Sequence, residues 1–454
     1  MTERKSILLI NPWIYDFAAY DFWVKPLGLL YIASFLRKNG YEVDFIDCLD
    51  PRHPEMKNET HITLPRRKPS GHGKYPKESI PKPEPLKDIP RRYNRYGITP
   101  QIFRKAITCR KQPDLVIITS MMTYWYPGVF EVIQMVRDVT PGVPIILGGN
   151  YVTLCPEHAS RSEADFTISG EGERHIPKLL KETLGKDPSF MPDFNDLDSY
   201  PYPALDLISY KDQFPLLTSR GCPYRCSYCA SHLINSSFRR RDPFKVVDEI
   251  TFWNKYFGIR HFSFYDDALL VNPEEMVIPM LREIIRRQLS CQFHCPNGLH
   301  LREVTEEIGS LMFHAGFRTI RFGFETANAK RQTETGGKVN NEDIRKAVIH
   351  LKKAGYQTGE IGVYLLCGLP GQTASEVCEA IHYVLSCGAK PIIAEYSPIP
   401  GTALWDASVQ ASPYNIAEEP IYQNNSLLPC QGEQLTLEMY RELKLLTRAS
   451  CFEA

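Results

Sequence analysis

No apolar run in this chain reaches the eighteen or so residues that a membrane-spanning helix needs. The opening residues, Met1-Thr-Glu-Arg-Lys5 before a short apolar strand, do not read as a signal peptide. Charge of one sign is not in surplus either. Lys and Arg number 53, and so do Asp and Glu, so no global field draws the protein to nucleic acid or to an anionic membrane. Cysteine is too sparse for a disulfide scaffold, 13 in 454 residues, which suits a reducing compartment, and a cytoplasmic location is expected. No G-x-G-x-x-G follows the first apolar strand, which counts against dinucleotide binding. What the chain does have is length, enough for about two to four domains with cores of their own.

The most informative stretch is Thr218-Ser-Arg-Gly-Cys222-Pro-Tyr-Arg-Cys226-Ser-Tyr-Cys229, which follows an apolar run at Phe214–Leu217. Thiolates are soft ligands, suited to iron–sulfur clusters or zinc. Three in one tight loop fill three corners of a cubane and leave one iron open. A fully ligated electron-transfer cluster wants a fourth cysteine, yet the next one in the chain is Cys291. Two other readings stand beside this one. His232 could complete a Cys3His zinc set, and the three cysteines could be incidental packing, although Gly221, Pro223 and Arg225 suit a turn better than a core strand.

This spacing, C-x3-C-x2-C with the aromatic Tyr228 before the last cysteine, resembles the radical S-adenosylmethionine (radical SAM) superfamily. The resemblance implies a [4Fe–4S] cluster on Cys222, Cys226 and Cys229 as the catalytic metal centre. S-adenosylmethionine would chelate the fourth iron, and one electron would split it to a 5′-deoxyadenosyl radical. A reductant such as flavodoxin or ferredoxin is implied as a partner.

Residues 1–184 alternate short apolar runs with amphipathic segments: strands at 5–10, 41–47, 115–120, 144–147 and 165–169, and helices near 26–38 and 129–139. Such alternation predicts an α/β fold with a parallel, doubly wound (Rossmann-like) sheet. Its ligand edge would carry Asn11, Ser120, Met121, Thr123, Gly148, Gly149 and Asn150. Three pieces, Pro26-Leu-Gly-Leu-Leu-Tyr-Ile-Ala33, Gly148-Gly149 and Gly170-Glu-Gly-Glu173, resemble the cobalamin-binding domain upstream of many radical SAM barrels. The D-x-H-x-x-G motif of methyltransferase-type cobalamin domains is absent, so the resemblance implies cobalamin held without a histidine ligand. Residues 50–100 interrupt this domain with ten prolines and a Lys/Arg excess. Showing no periodicity, they read as a long loop, a solvated excursion or a cover whose arginines meet an anionic group. One short basic run, Arg91-Arg92-Tyr-Asn-Arg95, does not make an RNA surface in a neutral chain.

A Pro/Asp-rich linker at 185–213 leads to a second run of alternating strands and helices over 214–405. Six repeats resemble the partial (β/α)6 radical SAM barrel, a relative of the (β/α)8 fold, with catalytic groups at the strands' carboxyl ends. Asp266 and Asp267 close the second strand, where one could take the cofactor's ammonium or both could cap the next helix. Phe322-Gly-Phe-Glu325 resembles the fourth-strand G-x-E segment, which implies that Glu325 contacts S-adenosylmethionine. Gly368 and Gly371 resemble the turn beside the adenine. Cys291 and Cys295 share one apolar strand and read as packing, whereas Cys367 is expected to line the cavity. The other cysteines, Cys451 among them, read as structural. The extension 406–454 is expected to close the barrel's open side.

Together these features predict a cobalamin-dependent radical SAM enzyme that methylates an unactivated carbon of a small-molecule or natural-product-type substrate. A non-methylating rearrangement, cyclisation or carbon–carbon coupling is the alternative, and a non-catalytic iron–sulfur redox module is the third.

Overall fold

The computed structural model describes residues 4–449. It divides into two compact units, one running up to Asp212 with Pro420–Tyr422 added, the other Gln213–Glu419 with the chain from Gln423 onward.

The first unit is built on a five-stranded, all-parallel sheet. Its strands run, across the sheet, Phe166–Ile168, Ile145–Gly148, Leu115–Ile118, Ser6–Asn11, Glu42–Asp47. The order reverses between Ser6–Asn11 and Leu115–Ile118, which makes their carboxyl ends the topological switch point, where open α/β sheets bind ligands. Strands covered on both faces have no reason to alternate, and Leu115-Val-Ile-Ile118 is accordingly buried throughout. Helix Leu27–Lys38 lays Leu29, Ala33 and Leu36 against Ile7, Leu9 and Ile117 of the sheet.

The stretch 50–100 is not the long loop that its sequence suggests. Lys77–Ile80 pairs antiparallel with Tyr93–Tyr96, which pairs in turn with Ile14–Asp16 just beyond the first strand. Strands this short cannot display a period-two pattern, and half of the pairing partner lies far back in the chain. Three of its arginines are also occupied locally. Arg67 binds Asp21, Arg95 binds Glu78, and the Arg91 guanidinium lies 4.8 Å from the centre of the Phe17 ring. These three hold the insertion to its own unit instead of presenting charge to an anion.

The second unit carries six parallel strands in sequential order, Phe214–Leu216, His261–Phe264, Gln292–His300, Phe317–Glu325, Ile361–Cys367 and Lys390–Glu395. Helices Pro243–Phe257, Val277–Arg286, Glu306–Ala315, Asn341–Ala354 and Ala374–Ser386 form the connections, the (β/α)6 arrangement of a partial barrel. Four of them begin at a residue whose side chain takes orphan N–H groups: Asp242, Thr305, Asn340 and Thr373. Fully buried Phe214, Phe262, Phe264, Phe293, Phe317 and Phe322 fill the strands' packing faces. Cys291 and Cys295 are buried among them, as small hydrophobes are. Helix Leu437–Ala449 is tied to the sixth strand through Glu395, which accepts hydrogen bonds from Tyr440 and, at 2.8 Å, from Lys444. Cys451 lies outside the described residues. No helix among the described residues is long and apolar enough to cross a membrane.

Candidate functional site

The approach to the cysteine loop is fixed by one buried carboxylate. Asp266, just beyond the second barrel strand, accepts from the Thr218 amide (3.0 Å), the Thr218 hydroxyl (2.6 Å) and the Ser219 hydroxyl (2.7 Å). Burial pushes its carboxyl up to about 6 against those donors. Asp266 is thereby committed to holding the chain as it enters the loop. Its neighbour Asp267 faces the other way, lines the cavity and accepts from the Ser231 hydroxyl at 2.6 Å.

Beyond Ser219 the loop turns through Cys222, Cys226 and Cys229, and all three thiols line a cavity of about 340 Å³ at the carboxyl ends of the strands. Tyr224, Tyr228, Asp267, His300, Glu325 and Lys338 share its walls. Burial pushes the Cys222 thiol up to about 11 and raises that of Cys229, a cost that a cationic metal centre offsets by holding the thiolates. Among the described residues no three His, Cys, Asp or Glu side chains converge as a single ion requires. The three thiols border one shared space, and soft thiolates in one loop are ligands that an iron–sulfur cluster takes. His232 is not among the lining residues.

Opposite charges meet on the same wall. Glu325 takes hydrogen bonds at one oxygen from Lys338 (2.7 Å) and from the Tyr228 hydroxyl (3.0 Å). Its backbone has φ +70°, a conformation uncommon for glutamate. A Cβ at Gly323 would sit 2.6 Å from the Glu325 carboxylate and 2.9 Å from the Lys338 ammonium. The glycine of the G-x-E segment is thus required by the ion pair itself. Burial lowers the Lys338 pKa, but Glu325, Cys226 and Cys229 outweigh it and the net shift is upward.

Sequence reasoning passed over Lys338. It arrives on the turn Thr335-Gly-Gly-Lys338, whose Thr335 carbonyl accepts from the Ser227 amide at 3.3 Å. A Cβ on Gly336 would come within 3.1 Å of the Cys226 Cα. The double glycine ahead of a lysine was the available signal. His300 was missed as well, since a single histidine at a strand end carries no pattern. Besides Asp266, three expected positions lie off the cavity wall. Gly368 and Gly371 shape a turn secured by Gln372 and Arg331. Cys367, expected to line the cavity, is fully buried in the fifth strand instead, where side chains facing away from the cavity pack on the helices.

In the first unit, Asn11, Ser120, Gly148, Gly149 and Asn150 gather at the carboxyl edge of the sheet. Asn11 donates to Asp47 at 2.7 Å, and Ser120 to the Gly148 carbonyl at 2.7 Å. Gly149 has φ +103°, and a Cβ there would meet the Ser120 carbonyl at 2.1 Å. Gly28 and Gly170 leave open space where a Cβ would touch nothing within 4 Å. Glycines that leave the edge open beside the Asn11–Asp47 contact give room for a bulky, amide-rich ligand such as a corrin.

Residues 216–384 match the radical SAM superfamily, and residues 98–180 match the B12 binding domain. The chain is a radical SAM enzyme carrying a B12-binding domain ahead of its catalytic domain. It is 26% identical over 331 residues to an uncharacterized methyltransferase of Pyrococcus horikoshii, covering 65% of this chain and 70% of the other. Cytidylyl-2-hydroxyethylphosphonate methyltransferase of Streptomyces wedmorensis is 23% identical over 468 residues, covering 88% and 81%. In fold the chain resembles the radical S-adenosylmethionine methyltransferase TsrM of Kitasatospora setae, with a TM-score of 0.65 at 17% identity over 89% of this chain and 76% of that one.

Proposed function

We propose that this protein is a cobalamin-dependent radical SAM methyltransferase that acts on a carbon atom of a small molecule. The observation that carries the reading is the single cavity shared by Cys222, Cys226 and Cys229 with the Tyr228–Glu325–Lys338 group, with no fourth cysteine among its lining residues. When bound, the cluster with S-adenosylmethionine supplies one-electron radical chemistry and cobalamin supplies a transferable methyl group.

The chain's own part is positional. Cys222, Cys226 and Cys229 would hold the cluster and, with no fourth cysteine among the cavity's lining residues, would leave it open to S-adenosylmethionine. Asp266 fixes where the loop begins, and Gly336 allows the Lys338 turn to lie against it. Tyr228 and Lys338 restrain the Glu325 carboxylate, so it would meet a polar group of the nucleoside without rearranging. Asp267 offers a second carboxylate on the same cavity. Asn11, Ser120, Gly148, Gly149 and Asn150 would line the corrin, with Met121 and Thr123 on the same segment.

Anaerobic reconstitution of the whole chain tests this. About four irons per chain and reductive cleavage of S-adenosylmethionine are expected. Cys226→Ala is expected to lose both. Uptake of hydroxocobalamin, followed in the visible spectrum, separates methylation from a rearrangement or coupling without cobalamin. A wild-type protein that holds iron and never cleaves S-adenosylmethionine overturns the proposal in favour of a redox module.

A further inference from the structure

The third barrel strand ends on a histidine whose Nδ1 has no hydrogen-bond partner among the described residues. His300 is only 6% exposed, and its Nδ1 is buried with no hydrogen bond among the described residues. An unpaired buried polar atom costs about 1–3 kcal/mol, so one is retained where a ligand completes it. The ring is not adrift. It stacks on Tyr224, inside the cysteine loop, with centroids 4.9 Å apart and planes at 22°. Both rings line the cavity that the three thiols line.

The strand is irregular just before this point. Its register with the fourth strand slips between Cys295 and Leu299, and Pro296-Asn-Gly298 forms part of the cavity wall. The Tyr364 hydroxyl anchors that irregularity by donating to the Pro296 carbonyl at 2.8 Å. A bulge commonly re-aims the residues that follow it, and here His300 follows. Burial and the nearby Lys338 ammonium both disfavour a second proton on the imidazole. The ring therefore meets its ligand as a neutral group.

We infer that His300 is a cofactor-binding residue whose Nδ1 accepts a hydrogen bond from an uncharged donor, a hydroxyl or an amine N–H, on the nucleoside docked over the cysteine loop. The inference rests on the radical SAM reading of the cavity. It assigns the nucleoside a contact on the third strand, beside the charged Glu325–Lys338 pair, since His300 pairs in register with Gly323 of the fourth. A charged partner is disfavoured at this position, since an anion would find no donor on an acceptor nitrogen and a cation would lie near Lys338.

The test is titration calorimetry of S-adenosylhomocysteine into the anaerobically reconstituted full chain, with iron content measured on each sample. His300→Phe keeps the ring stacked on Tyr224 and removes both nitrogens. It is expected to hold wild-type iron and to bind S-adenosylhomocysteine about tenfold more weakly. His300→Gln, which restores an acceptor, is expected to recover part of that loss. Should His300→Phe fail to fold, His300→Gln and His300→Leu give the same comparison, with and without an acceptor. Equal affinity for wild type and the acceptor-free variant overturns the inference alone. Loss of iron together with affinity also overturns it, because the residue then supports the loop and not the ligand. A wild-type protein with a full iron complement that binds no S-adenosylhomocysteine overturns the radical SAM reading, and this inference with it.

Discussion

Glu325 and Lys338 meet at 2.7 Å in a space that exists because residue 323 has no side chain. The pair is largely out of water, at 10% and 15% exposure, so each charge depends on the other. Lys338→Met is expected to cost about 3 kcal/mol in denaturant unfolding, because it strands the glutamate. Adding Glu325→Gln should cost clearly less than the two single effects summed. Strict additivity would mean that the two charges do not depend on one another.

Asp266 makes stability depend on pH. Its folded value is pushed up to about 6 from an ordinary 3.8, so the folded protein binds this proton more tightly than the unfolded chain does. The associated stability is fully present below about pH 4 and is lost as the pH rises to about 6, on the order of 3 kcal/mol in all. Asp266→Asn keeps an acceptor for Thr218 and Ser219 and does not titrate. Urea midpoints from pH 4 to 7 should therefore fall for wild type relative to the variant. Parallel curves would refute the assignment.

Gly149 and Gly170 both have left-handed backbones, φ +103° and +79°, in different surroundings. Gly149→Ala adds a collision with the Ser120 carbonyl and is expected to cost at least about 3 kcal/mol. It should also disturb the sheet edge enough to lower hydroxocobalamin uptake. Gly170→Ala meets nothing and carries only backbone strain, about 1 kcal/mol. Thermal melts of the two variants beside wild type decide the matter, and equal losses would count against the packing described.

Arg241 and Glu249 form a buried ion pair, at 5% and 2% exposure, behind the strand that leads into the cysteine loop. The Arg241 guanidinium also donates to the Leu217 carbonyl at 3.2 Å, and its amide to the Thr218 carbonyl at 2.8 Å. Arg241→Met is expected to destabilise the protein by about 3–5 kcal/mol. Reduced iron retention is expected alongside, measured after desalting. Full retention would show that the loop stands without this support.

Much of this protein was decided locally and can be read in order along the chain. The cysteine spacing, the alternation of apolar strands with capped helices and the Gly323-x-Glu325 segment all depend on neighbours a few residues away, so their patterns survive in one dimension. Other features depend on contacts between distant segments. The short strands at 77–80 and 93–96 take their register from Ile14–Asp16, and no period is visible in four residues. Asp266 and Asp267 are adjacent in sequence, yet one holds Thr218 and Ser219 while the other lines the cavity, because the loop that approaches them decides which carboxylate is consumed. His300 carries no motif, and the double glycine ahead of Lys338 marks a turn without saying what it meets. They belong to the site because a glycine turn lies against Cys226 and a bulged strand brings an imidazole onto Tyr224, and only the packed barrel could make those meetings.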